Sequence, residues 1–134
     1  MRGEGIKSQI VETNAVGLGG NEFENGTMTV ESGSPIMRGA LLIRDQTTGR
    51  FIPMTNTTET PVAINPFEFK NDSDSTRNMP IRAIVFGRVR ADLLVLGTTR
   101  LGDIPSPTRE LLFDKIRATA LCIPIQGTDI SRTE

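Results

Sequence analysis

The stretch Ile81-Arg82-Ala83-Ile84-Val85-Phe86-Gly87-Arg88-Val89-Arg90-Ala91 has the clearest periodicity in the chain. Small apolar residues alternate with a set that includes three arginines, and a period of two over eleven residues is typical of a β-strand with one buried face. The pattern predicts a strand whose core face is Ile81, Ala83, Val85, Gly87, Val89 and Ala91. It predicts a half-exposed opposite face of Arg82, Ile84, Phe86, Arg88 and Arg90.

Shorter apolar segments on both sides of this strand predict further strands joined by turns. On the N-terminal side they lie at residues 40–43, 50–53 and 61–65, with Gly49 closing a hairpin turn. A polar stretch at residues 70–80 predicts an exposed loop. On the C-terminal side, residues 93–96 predict a buried strand. A last strand at 121–125 contains Pro124, which is typical of a sheet edge.

One helix is expected, beginning at Ser106 as the N-cap with Pro107 in the first helical position, and ending near Ala118. Leu112 and Ile116 are four residues apart and define its inward face. Together these elements predict a mostly β protein. It would be a small β-barrel or β-sandwich-like domain with one short C-terminal helix and an extended N-terminal arm.

Composition excludes several classes of function. The 134 residues suit one domain, and the net charge is −1 with 15 basic and 16 acidic residues interspersed, so no nucleic-acid partner is expected. No apolar run is long enough to span a membrane, and the N-terminus lacks the apolar core of a signal peptide. With no histidine and one cysteine, the usual zinc sets and histidine-dependent nucleophiles cannot be built. We therefore expect no enzyme activity, no metal and no cofactor.

Residues 1–35 are glycine-rich, with apolar residues only in isolated pairs, and are assigned to an N-terminal arm with short strands, apart from a β domain at residues 36–134. Ile10-Val11 and residues 27–30 could each form a short strand, but neither has neighbours enough to fold alone. Three interpretations stay open: a disordered tail, an arm that becomes ordered by adding a strand to a partner, or a strand of the domain. Removal of residues 1–20 is expected to leave the domain stable. The glycines at residues 17–20 predict a flexible hinge.

Arg82, Arg88 and Arg90 are the most informative charged group. They form either a solvated sheet face with local ion pairs or a contact face for an acidic partner or a neighbouring subunit. Cys122 lies within an apolar run and is interpreted as a small buried side chain.

Residues 39–45, 50–52, 60–64 and 83–94 together resemble the head decoration (cement) proteins of lambda-type tailed phages in the order and type of their elements. The C-terminal residues 115–123 continue this pattern, in which a short helix leads into an aliphatic strand. The resemblance covers residues 39–125, although the chain lacks a tryptophan expected near residues 94–97.

The resemblance implies a homotrimer on local threefold points of a mature icosahedral head. It would bind the major capsid protein and stabilise the head against internal DNA pressure, on the outer surface of a virion assembled in the host cytoplasm. In that family the N-terminal arm becomes ordered on the capsid. Here that role would fall on Ile6, Ile10 and Val11, and the subunit or capsid contact face would be Arg82, Arg88 and Arg90.

Two alternatives remain from the sequence. One is another binding module, such as a phage tail or baseplate piece or a carbohydrate-binding β domain, although the chain has no tryptophan or tyrosine to form a sugar platform. The other is a trimeric β nucleotide hydrolase, in which Ala91-Asp92-Leu93 would imitate an active-site strand. The residues at 127–132 form a poor version of the glycine-rich phosphate segment that such an enzyme needs.

Overall fold

The structure, a computed structural model, describes residues 16–118 and the backbone of residues 123–125. The described part contains eleven strands, one α-helix and two single 3₁₀ turns, η1 and η2. In chain order these are β1 (Glu22–Val30), β2 (Pro35–Ile36), β3 (Leu41–Arg44), β4 (Phe51–Pro53), β5 (Ala63–Ile64), β6 (Phe69–Lys70), β7 (Arg77–Phe86), β8 (Arg88–Arg90), η1 (Ala91–Leu93), β9 (Val95–Leu96), β10 (Thr99–Arg100), η2 (Leu101–Asp103), α1 (Thr108–Ala118) and β11 (Ile123–Ile125).

Five strands form a closed barrel in the order β1-β4-β3-β5-β7. Its longest part is an antiparallel ribbon of β1 and β7, which runs from the pair Glu22↔Phe86 to the pair Val30↔Arg77. The short strands β4 and β5 close the barrel at one point each, Met28↔Phe51 in parallel and Ile64↔Ile84 in antiparallel orientation. The predicted mostly β class with one short C-terminal helix is therefore confirmed, in its barrel form.

The barrel interior is filled by side chains that alternate inward along the strands. Its buried residues are Met28, Val30, Ile36, Ala40, Leu42, Phe51, Ala63 and Ala83. Phe51 is the largest, and its ring lies against Gly26, where an added Cβ would come within 2.8 Å of the ring. The ring of Phe51 thus fits into the barrel because position 26 has no side chain.

A second apolar layer covers the outside of the barrel wall. The helix α1 contributes Leu112, Phe113 and Ile116, and these pack with Ile84 and the other wall residues of one cluster. The prediction that Ile84 lies on a half-exposed face is wrong, because this second layer buries it to 1% exposure. The predicted core positions Ala83, Val89 and Ala91 are buried as expected.

The strand β8 has neighbours on both sides. Gly17 forms an antiparallel bridge with Val89, and β11 pairs with β8 in parallel over Ile123–Ile125. The main-chain N–H of Leu18 donates to the carbonyl of Arg88 at 3.0 Å. The segment at residues 17–20, predicted to be a hinge, is therefore joined to the domain by main-chain hydrogen bonds.

The N-terminal boundary differs from the expectation that residues 1–35 lie outside the β domain. Residues 22–30 are β1, a full strand of the barrel, so the third of the open interpretations holds for them. The strand β7 also begins at Arg77, within the predicted loop of residues 70–80. Both differences have one cause: each polar stretch pairs with a segment of the other strand of the ribbon, residues 22–26 with 81–86 and residues 77–80 with 27–30, and this long-range pairing outweighs their weak local preference for strand.

The helix follows the prediction more closely. It ends at Ala118 as expected and begins at Thr108, two residues after the predicted cap. Leu112 and Ile116 are buried as predicted, whereas Leu111 is exposed. Within the residues that the structure describes, no helix combines the length and the apolarity needed to cross a membrane.

Candidate functional site

A groove of about 670 Å³ lies between η1, η2 and α1, and most of the side chains that line it are charged. Its lining residues are Ala91, Asp92, Arg100, Gly102, Asp103, Arg109, Glu110, Phe113, Asp114 and Arg117. The groove also contains η1, the segment Ala91-Asp92-Leu93 that was compared with the active-site strand of a hydrolase. Whether the groove could be a catalytic site therefore depends on how its charged side chains are paired.

Most charges of the groove are paired locally. Asp92 accepts from Arg90 at 2.6 Å, and Asp114 accepts from Arg117 at 3.4 Å. Arg100 donates to the main-chain carbonyl of Asp92 at 2.5 Å. Among residues 16–118, no three histidine, cysteine, aspartate or glutamate side chains lie together in a way that could hold a metal ion. The groove is thus a surface of short-range ion pairs.

Glu110 lies in the groove, and the pKa of its carboxyl is lowered by neighbouring hydrogen-bond donors. The hydroxyl of Ser106 donates to its carboxylate at 3.1 Å, and the Nε of Arg109 donates at the same distance. The hydrogen bond from Ser106 is the main reason that the pKa of Glu110 lies below its ordinary value, and Arg109 lowers it further. A lowered pKa keeps this carboxylate ionised, which suits a structural role and not that of a proton donor near neutral pH.

The three arginines of the predicted contact face lie in two strands. Arg82 is in β7, while Arg88 and Arg90 are in β8, beyond the positive-φ turn at Gly87. Arg82 and Arg88 are exposed, and Arg90 is half-buried and joined to Asp92 by an ion pair. Arg90 is therefore already engaged within the chain, and Arg82 and Arg88 remain as the exposed cations.

Arg82 lies on an aromatic ring of the neighbouring strand on the outer side of the β1–β7 ribbon, and a second exposed ring, Phe86, follows four residues later in β7. The guanidinium carbon of Arg82 lies 4.6 Å from the ring centroid of Phe23, and Phe23 and Phe86 are 41% and 49% exposed. We call Phe23, Arg82 and Phe86 the ribbon face. Arginine and aromatic residues are the types enriched at protein–protein contacts.

Phe23 is the residue of the ribbon face that sequence reasoning missed. It lies 59 positions from Arg82 in the chain, and only the register of β1 on β7, with Phe23 opposite Ile84, brings the two side chains together. The signal available in the sequence was a phenylalanine between two glutamates, Glu22 and Glu24, in a segment otherwise poor in apolar residues.

Ile6, Ile10 and Val11, predicted as the binding residues of the arm, lie outside the described residues, as does Cys122, predicted to be buried. The point of attachment of that segment is described. Val16 is 1% exposed, and its carbonyl accepts from the main-chain N–H of Arg90 at 2.9 Å. The segment that precedes Val16 is thus joined to the domain beside β8.

Comparison of this chain with protein-family models, with curated proteins and with solved structures found no match.

Proposed function

We propose that this protein is a structural decoration protein that binds the outside of a tailed-phage head as a homotrimer and stabilises the shell. The partner is the major capsid protein, at local threefold sites. The observation that carries the proposal is the ribbon face, in which Arg82 lies on the ring of Phe23 and Phe86, in the same strand as Arg82, exposes a second ring. A decoration protein needs a repeated protein contact on a stiff body, and no chemistry.

The body supporting this face is stiff for physical reasons. Its barrel is filled by Phe51 and its neighbours, and its outer wall is covered by α1, so the ribbon is held on both of its faces over part of its length. A contact surface that is already in its binding conformation loses little conformational entropy on association. Modest contacts then become strong when three copies engage three equivalent sites.

The arm supplies a second contact in this proposal. Ile6, Ile10 and Val11 would bind the capsid by strand addition, starting from the fixed point at Val16. The ribbon face and the arm are independent contacts, because Val16 is joined to β8 and the ribbon face lies on β1 and β7. Each can be removed by mutation without removing the other.

The proposal is tested by mixing purified protein with bare expanded heads and measuring bound protein by sedimentation and electron microscopy. The wild-type protein should bind at regular surface positions. Phe86→Ser combined with Arg82→Glu should weaken binding by about tenfold or more, since buried aromatic and arginine contacts commonly contribute that much. Val62→Ser removes another exposed apolar side chain, 41% exposed, and serves as the matched control.

Absence of wild-type binding to heads would exclude head decoration. Binding of the wild-type protein to purified tails or baseplates instead would favour the other phage structural module considered from the sequence. If the double variant bound heads as well as the wild type, the proposed function would stand, but the ribbon face would not be a contact with the head.

A further inference from the structure

The loop between β5 and β6 carries the most exposed large apolar side chain in the described part of the chain. This side chain is Phe67, which is 74% exposed. It belongs to the four-residue connection at residues 65–68 and lies outside the ribbon face. None of its residues is among the contact residues predicted from the sequence.

Hydrogen bonds hold this loop firmly on its N-terminal side. The side chain of Asn65 is 2% exposed, and its Nδ2 donates to the carbonyl of Met37 at 2.9 Å and to the carbonyl of Phe67 at 2.6 Å. The main-chain N–H of Asn65 donates to the carbonyl of Ala40 at 2.9 Å. A buried amide thus fixes the backbone of Phe67 to the domain.

The C-terminal side of the loop is held by strand pairing. Phe69 is paired with Ile36 between β6 and β2, immediately after the loop. Pro66 further restricts the backbone between these two fixed points. Single exposed apolar residues are common on protein surfaces. An exposed ring in a loop fixed on both sides is different, because the backbone ordering that binding normally requires is already present.

The negative charge of Glu68, next to the ring of Phe67, limits the kinds of partner that could bind this loop. Glu68 is exposed and follows Phe67 directly, and among the described residues it forms no ion pair. A carboxylate in this position disfavours an anionic lipid surface and the phosphates of a nucleic acid. It favours a protein that offers an apolar socket with a basic residue at its rim.

We propose that Phe67 is an anchor that inserts into an apolar socket of the protein that this chain binds, with a basic side chain of that protein opposite Glu68. The inference rests on the proposed function, so the partner is the protein shell of the head. Phe67 is then a second contact of the domain with the head, in addition to the ribbon face.

The test uses bare expanded heads as the probe and compares Phe67→Ser with Leu111→Ser, a control that removes a side chain of 58% exposure from α1. Both variants should keep the melting temperature of the wild type, because neither side chain is buried. Phe67→Ser should weaken binding by about tenfold or more, and Leu111→Ser should leave it unchanged. Glu68→Gln should weaken binding at low salt and reduce its dependence on salt.

Each outcome decides the inference. Wild-type binding that survives Phe67→Ser overturns the anchor and leaves the proposed function standing. Failure of the wild-type protein itself to bind heads removes the proposed function, and the anchor with it. A change in the mass of the free protein on Phe67→Ser, with unchanged head binding, assigns the ring to contact between copies and overturns the inference. Binding of the wild type to anionic phospholipid vesicles that is lost with Phe67→Ser overturns it as well.

Discussion

The side chain of Asn21 lies against Gly87, with its Nδ2 donating to the main-chain carbonyls on both sides of that glycine, Phe86 at 3.4 Å and Arg88 at 3.0 Å. Gly87 has a φ of 119°, a conformation that residues with a Cβ rarely adopt. An added Cβ there would lie 2.6 Å from Nδ2 of Asn21. The turn between β7 and β8 therefore depends on the absence of a side chain at position 87 and on the amide at position 21.

Gly87→Ala should lower the free energy of unfolding by about 2–5 kcal/mol, because backbone strain and steric overlap add. Gly49→Ala is the control, since Gly49 also has a positive φ of 74° but no atom would lie within 4 Å of its Cβ. It should cost about 1–2 kcal/mol from strain alone. Urea denaturation of both variants measures the difference, and equal losses would contradict the role of Asn21.

Phe51→Ala should lower the free energy of unfolding by about 3–5 kcal/mol, because it leaves a cavity inside the barrel. Phe51 is fully buried and also lies under the guanidinium of Arg44, 4.3 Å from its ring centroid. The matched variant Phe67→Ala removes the same side chain from an exposed position and should change stability by less than about 0.5 kcal/mol. If Phe51→Ala lowered the free energy of unfolding by as little as Phe67→Ala, the barrel interior would be loosely packed.

Glu110 should make stability depend on pH in the acid range. Its pKa is lowered in the folded protein, chiefly by the hydrogen bond from Ser106, so its contribution is present above the pKa of the unfolded chain and is lost as the pH falls through the folded pKa. NMR titration of the Glu110 carboxyl should show the lowered value, and Ser106→Ala should raise it. Glu110→Gln should remove this part of the pH dependence, whereas Glu31→Gln, at an exposed glutamate, serves as the control. An unchanged Glu110 titration in Ser106→Ala would contradict the assigned cause.

Two N-terminal deletions separate the arm from the domain. Removal of residues 1–15 should leave the melting temperature nearly unchanged and severely weaken head binding. Removal of residues 1–20 should additionally lower the free energy of unfolding by about 2–4 kcal/mol, because it removes the buried Val16 and its main-chain bonds to β8. This differs from the expectation that residues 1–20 can be removed without loss. Calorimetry measures the stability of both deletion variants, and sedimentation with heads measures their binding. Normal decoration of heads by the variant without residues 1–15 would exclude the arm as a contact.

The position of the helix α1 could be predicted from local sequence alone. A serine followed by a proline, and two apolar residues four apart, are enough to locate α1 because helix signals lie within a few residues of each other. Its end at Ala118 matches the prediction, and its start at Thr108 lies one residue after Pro107, the predicted first helical position. Boundaries of this kind follow from local sequence.

The strand β1 could not be predicted from its local sequence over its whole length. Its first residues, from Glu22 to Gly26, have no apolar alternation, and they form a strand because β7 supplies their partners more than fifty residues later in the chain. The same reason explains the ribbon face, whose Phe23 and Arg82 meet only through that register. Ile84 was predicted to be half-exposed and is buried, because a strand pattern cannot show that a helix will cover the outside of the barrel.

The strand β8 also fixes the relation between two distant parts of the chain. Val16 lies beside Arg90 on one side, and Ile125 lies beside Arg90 on the other. Two strand spacings separate such neighbours by about 10 Å. A linker of about four or five residues could therefore join residue 125 to residue 16, with new ends opened in the exposed turn between Thr47 and Thr48. Such a circular permutant should fold into the same barrel, since the connection that it breaks is a surface turn and the one that it makes follows an existing proximity.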